Sequence, residues 1–202
     1  MTGNLNTLLA FIREPESGGD YNIVWGGIRK KHRPPYLLTT MTIKEVLAWQ
    51  DSIDPIYRSE AAGAYQIMED TLRDLYPHAG FDGSEVFGID TQDRLAIALL
   101  KRRGLDRYLA GKLSTTKFAN NLAREWASLP VVSGSQKGRS AYAGDGLNKS
   151  HVAVEPFLDA VRSVLAAPAP DYVPAKPSNE VPEQGIWAAL IAAILSIFGA
   201  RK

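Results

Sequence analysis

The chain has 202 residues, 45% of them hydrophobic, and a formal net charge of +1. That length suits one substantial domain with an appendage, and the apolar content suffices for a buried core. A near-neutral balance offers nucleic acid no basic field; the absence of cysteine excludes disulfides, thiolate zinc sites and a thiol nucleophile. The three histidines, His32, His78 and His151, lack metal-ligand spacing, so neither a metal nor a cofactor is expected.

The first residues, MTGNLNTLLAFIREPES, carry no basic start and no long apolar run, so they do not read as a secretory signal. Leu5, Leu8, Leu9 and Ile12 recur at i, i+3, i+4 and i+7, the apolar stripe of a helix. Pro15 has no N–H and biases its predecessor away from helix, which predicts an end near Arg13 or Glu14. Glu16 then leads into Ser17-Gly18-Gly19-Asp20-Tyr21. A catalytic acid needs a rigid stem behind it and open space ahead, and this segment offers both. A solvated glutamate beside two glycines would look the same. Glu14, two positions away, points to another helical face and makes no matched pair with Glu16.

Tyr21-Asn22-Ile23-Val24-Trp25 is rich in β-formers and bounded by glycines, which predicts a strand entering a hairpin. The basic run Arg29-Lys30-Lys31-His32-Arg33, closed by Pro34 and Pro35, reads as a solvated loop, with anionic polymer or lipid head groups as the alternative. Thr42-Ile43-Lys44-Glu45 is a capping box opening a helix to about Ile53. In Ser59-Glu60-Ala61-Ala62-Gly63-Ala64-Tyr65-Gln66-Ile67 small residues let the backbone pass close to a ligand, while Tyr65 and Gln66 supply a ring face and an amide suited to a sugar. A small-residue helix start with a buried tyrosine fits that stretch equally well. Further helices are predicted after Gly63 through Leu75, from Asp90 or Thr91 to Gly104, from Ser114 to Leu129 and from Pro156 to Leu165.

The composition changes near Ala167. Residues 168–184 hold five prolines and read as an extended linker. Residues 185–200, GIWAALIAAILSIFGA, are apolar on every helical face and are followed by Arg201 and Lys202, a pattern suited to lipid. As a helix they would reach roughly 24 Å, short of the ~30 Å hydrocarbon core, so the segment spans a thinned bilayer, lies partly embedded, or docks on protein. The expected organisation is a domain over residues 1–167, a linker over 168–184 and a hydrophobic tail over 185–202.

In order along the chain, Glu16-Ser17-Gly18-Gly19, Tyr21 to Gly27, SEAAGAYQI, Gln92-Asp93 and Trp126-Ala127-Ser128-Leu129-Pro130 together resemble phage endolysins of the lambda lysozyme type over about residues 5–145. The resemblance implies an α+β, lysozyme-like fold, mainly helical with a small β-hairpin lobe. The catalytic acid is expected at the end of the first long helix, and the glycan cleft between the lobes. By position Glu16 matches the family's acid. Tyr65 and Gln66 match its cleft motif, Gln136 matches a cleft-side glutamine, and Ser59 and Tyr21 complete the expected substrate contacts. Trp126, between Leu122 and Leu129, reads first as a core residue.

Two departures matter. Ser-Gly-Gly replaces the family's usual Gly-Thr after the acid and resembles cellular soluble lytic transglycosylases instead. The T4-type pattern, with an aspartate nine positions after the acid, is not matched: Trp25 stands there, and Asp20 is only four on. The resemblance thus implies a single-acid lytic transglycosylase acting on peptidoglycan glycan strands, with hydrolysis through a second carboxylate such as Asp51 or Asp54 as the alternative. The enzyme is expected in the host bacterial cytoplasm or at the inner membrane, acting in the cell wall, with a holin or a phage particle as further partners. A non-catalytic wall-binding protein and a membrane-disrupting protein on the same scaffold are the readings from another class.

Overall fold

In the computed structural model, which describes residues 5–144 and 149–166, the apolar stripe of the first segment builds α1 (Leu5–Ser17) and buries Leu8, Leu9 and Ile12. α1 does not end before Pro15 but runs through it. Proline removes one N–H, yet the last turn still closes: the Gly18 N–H donates to the Glu14 carbonyl and the Ser17 hydroxyl to the Arg13 carbonyl, each at 2.9 Å. Packing on α7 (Val154–Ser163), where Phe11 stacks on Phe157 with ring centres 6.0 Å apart, outweighs the local preference. Glu16 therefore sits on the last turn of α1 rather than beyond it.

α2 (Ile43–Ile53) begins in the predicted capping box, with the Glu45 N–H donating to the Thr42 hydroxyl and the Thr42 N–H to the Glu45 carboxylate. α3 (Glu69–His78), α4 (Ile89–Arg102), α5 (Leu105–Leu109) and α6 (Thr115–Leu122) follow. The helix expected to continue to Leu129 stops at Leu122. The Asn120 side chain accepts from the Val132 N–H and donates to the Ser133 hydroxyl, both at 2.8 Å, which folds residues 130–133 back along α6. Trp126 thus lies in the turn after α6, not within a helix.

The expected β-hairpin lobe is absent among the described residues. The Tyr21–Trp25 stretch makes one bridge, Val24 to Ala62, flanked by the Trp25 N–H to Ala61 carbonyl bond and the Gly63 N–H to Ile23 carbonyl bond. On the N-terminal side of this bridge side chains take up the backbone bonding, the Gln92 amide donating to the Tyr21 carbonyl. Asp20 accepts from the Asn22 N–H in a local turn, and the Asn22 amide oxygen takes both the backbone N–H and the hydroxyl of Thr39. The fold is mainly helical, with isolated bridges and no strand in the described part.

One apolar cluster joins the helices, with Phe87, Phe118, Phe157 and Tyr65 among its largest buried rings. All described residues belong to one unit, Met1–Pro168. The linker 168–184 and the apolar segment 185–200 lie outside the described residues, among which no helix is long and apolar enough to cross a membrane.

Candidate active site

Glu16 projects from the end of α1 into a cleft of about 520 Å³ whose walls include Pro15, Trp25, Ser59, Gln66, Trp126 and Ser128. Its Oε1 accepts two hydrogen bonds from one residue: the Ser128 hydroxyl at 2.5 Å and the Ser128 N–H at 3.3 Å. Among the described residues no hydrogen bond is donated to Oε2. When the carboxyl is protonated, the proton accordingly belongs on Oε2, because Oε1 is already occupied as an acceptor.

Burial pushes the Glu16 carboxyl above the usual carboxylate range, and the two Ser128 hydrogen bonds and the charge of His151 pull it only part of the way back. The position at a helix C-terminus acts in the same direction as burial, since the dipole there disfavours a negative charge. Glu14 is exposed on another face of the same turn.

Among the described residues Glu125 is the only other carboxylate on the cleft wall, and it is committed elsewhere. Its side chain is 8% exposed, with Oε1 accepting from Arg102 at 3.0 Å and Oε2 from Arg103 at 2.5 Å. Asp51, one of the acids considered from sequence, is paired with Arg73 and is not on the cleft wall, nor is Asp54. Arg58, Lys149 and His151 add cationic or protonatable groups to the walls. No cluster of three or more His, Asp or Glu residues with metal-holding geometry occurs among the described residues.

A polar cluster behind the cleft anchors α1. Asp93 Oδ1 accepts from the Tyr65 hydroxyl at 2.6 Å and the Tyr21 hydroxyl at 2.7 Å, while Arg13 donates to the Tyr65 oxygen at 2.9 Å. Arg13 lies one turn before Glu16 and also stands over the rings of Tyr21 and Tyr65. Burial and the Asp93 bond push both tyrosine hydroxyls up, that of Tyr21 to about 12. Next to Asp93, buried Gln92 accepts from the Ala64 N–H and donates to the carbonyls of Tyr21 and Phe87.

The residues singled out from sequence therefore divide. Glu16, Ser59 and Gln66 meet on the cleft wall; Tyr65 and Tyr21 point to Asp93 behind it; Gln136 is exposed and does not line it. Gln66 has φ of 47°, a left-handed conformation costly for a side-chain-bearing residue, and its amide donates to the Gly63 carbonyl. Trp126 is both buried and on the cleft wall, with its indole N–H on the Tyr65 carbonyl at 3.2 Å. Ser128, Glu125 and His151 received no role from sequence. Ser128 was within reach as part of the WASLP motif, but its partner lies 112 positions away.

Residues 47–153, more than half of the chain, match the family model Endolysin. The chain belongs to the endolysin family. The match makes this endolysin a lytic enzyme of the bacterial cell wall, with peptidoglycan as its substrate, and it covers Ser128, Glu125, Gln66 and His151. Glu16 and α1 precede the matched span, so the match says nothing of Glu16. No curated protein and no solved structure matches the chain.

Proposed function

We propose that this endolysin is a lytic transglycosylase on a lysozyme-like scaffold, cutting the β-1,4 bond between N-acetylmuramic acid and N-acetylglucosamine with Glu16 as both acid and base. The supporting observation is the unequal state of the two cleft carboxyls. Glu16 is desolvated, held through one oxygen and open at the other, whereas both Glu125 oxygens are engaged by arginines. Among the described residues that leaves one carboxyl for chemistry, and intramolecular attack needs only one.

In this mechanism Glu16 Oε2 gives its proton to the glycosidic oxygen as the bond to the muramic acid C1 breaks. The C6 hydroxyl oxygen of the same sugar bonds to C1, and its proton returns to the Glu16 carboxylate. The products are a 1,6-anhydro end and a free 4-hydroxyl, with the enzyme restored. The Ser128 hydrogen bonds hold the carboxyl in one orientation through both transfers. Ser59 and Gln66 are the proposed sugar contacts on the wall. Tyr65 and Tyr21 act through Asp93 and Arg13 by fixing the end of α1, and Gln136 would meet only glycan that extends beyond the cleft.

The apolar segment 185–200 is proposed to serve delivery at the inner membrane, on the strength of its uninterrupted apolar sequence. Deleting residues 185–202 should leave cleavage of purified wall intact and lower lysis of whole cells. The reaction type is tested by mass spectrometry of peptidoglycan digested to completion. Anhydro-muramic ends support transglycosylation; reducing muramic ends would overturn it in favour of hydrolysis.

A further inference from the structure

Between Asp20 and Glu45 the chain contains no acidic residue, yet it carries Arg29, Lys30, Lys31, Arg33 and Lys44. Residues 107–124 are likewise free of acid, but their four cations are spread over the whole stretch, whereas Arg29, Lys30, Lys31 and Arg33 are packed into one loop. Four exposed arginines elsewhere have acidic partners, Arg73 with Asp51, Arg94 with Asp90, Arg102 with Asp74 and Arg162 with Asp159, whereas Arg58, Arg107, Arg124 and Arg139 stand singly along the chain with no ion pair among the described residues. Arg29, Lys30, Lys31 and Arg33 are exposed and enter no ion pair among the described residues.

The loop has a fixed shape. Residues Lys30–His32 form a 3-10 turn, held to α2 by the Trp49 indole N–H on the His32 carbonyl at 2.9 Å. The Tyr57 hydroxyl accepts from the Arg29 N–H and meets His32 Nδ1 at 2.7 Å. Directly after the two prolines, Tyr36 and Leu37 are 73% and 61% exposed, whereas the next residue, Leu38, is buried in the core. Four unpaired cations thus adjoin an exposed aromatic and an exposed aliphatic side chain on one stapled loop.

We infer that residues 29–37 dock on an anionic bilayer surface, with Arg29, Lys30, Lys31 and Arg33 on lipid phosphates and Tyr36 and Leu37 seated at the interface. A clustered basic segment is attracted to anionic lipid, and tyrosine and leucine gain by entering the head-group region. A soluble polyanion would use the cations but leave Tyr36 and Leu37 in water, which is why the bilayer is the better match. None of residues 29–37 lines the cleft, and the site does not depend on the reaction assigned to Glu16. A weak apolar anchor holds poorly by itself and gains from a basic patch as a second signal, which gives the loop a purpose in a chain that also carries residues 185–200.

The test is flotation of the full chain with phosphatidylcholine vesicles, with and without phosphatidylglycerol, for wild type, Lys30→Glu/Lys31→Glu/Arg33→Glu and Tyr36→Ser/Leu37→Ser. Wild type should favour the anionic vesicles by at least about tenfold at low salt, the preference shrinking as salt rises. The charge-reversed chain should lose that preference, and the Tyr36/Leu37 variant should bind anionic vesicles several-fold more weakly. Cleavage of soluble peptidoglycan at the wild-type rate verifies folding of both variants; should charge reversal abolish it, Lys30→Gln/Lys31→Gln carries the test. Equal binding to both vesicle types, or a preference that survives loss of the lysines, overturns the proposal and leaves the apolar segment as the membrane contact. Unchanged anionic binding by the Tyr36/Leu37 variant also overturns it, in favour of a soluble-polyanion site.

Discussion

Ser128 binds one oxygen of Glu16 twice, through its hydroxyl and through its backbone N–H, across 112 positions of sequence. The contact ties the turn after α6 to the end of α1 and orients the carboxyl whose burial raises its affinity for a proton. Ser128→Ala removes the hydroxyl bond, which favours the ionised form. The Glu16 carboxyl should therefore titrate still higher, moving the alkaline limb of the pH–activity profile upward. Activity at the optimum should fall about tenfold, the equivalent of one such hydrogen bond. A pH series of peptidoglycan cleavage rates measures both changes.

The same raised affinity appears in stability. Because the folded state binds the Glu16 proton more tightly than the unfolded chain, its contribution is fully present below the unfolded carboxyl range and is lost as pH rises through the folded value. Above its raised folded value the Glu16 carboxyl is a partly buried charge that Glu16→Gln does not carry. Glu16→Gln should therefore gain in melting temperature over wild type as pH rises through that value, with the gap closing towards acid pH. Thermal melts of both proteins across that range give the comparison.

Asp93 is the shared acceptor of Tyr21 and Tyr65 and lies 3.5 Å from Arg13. Asp93→Ala strands two hydroxyls and a guanidinium behind the cleft and should cost about 2–4 kcal/mol in denaturant unfolding. Tyr21→Phe, which leaves the Tyr65 and Arg13 contacts in place, should cost about 1 kcal/mol.

Gly63 has φ of 75°, and a Cβ there would stand 2.3 Å from the Gln92 amide oxygen. That oxygen is fixed by the Ala64 N–H, so it has no free retreat. Gly63→Ala should lose about 2 kcal/mol or more of stability, read from its unfolding midpoint.

The helices with strong local signals were legible in the sequence. The stripe Leu8, Leu9 and Ile12 and the Thr42–Glu45 box stand where periodicity and capping place them. Pro15 misled because a local preference was overruled by the contact of α1 with α7, a partner more than a hundred residues away. Tyr21–Trp25 has β-forming residues, but the side chains of Asp20 and Gln92 take up its backbone bonding at Asn22 and Tyr21, and side-chain bonding of that kind leaves no periodic trace. Glu16 was legible as a carboxyl on a stem. Its partner Ser128 and the state of Glu125 depend on long-range contacts that spacing does not encode, and the same holds for Tyr65, whose hydroxyl turns to Asp93 rather than to the cleft.

The role of Glu16 is tested most directly by the rate at which Glu16→Gln, confirmed as folded by its melt, cleaves purified peptidoglycan. The amide keeps the shape of the side chain but has no acidic proton to give. A fall of at least about a hundredfold, with wild-type affinity for the glycan retained, is the expected result. Cleavage within a few-fold of wild type would contradict the assignment of Glu16 as the acid.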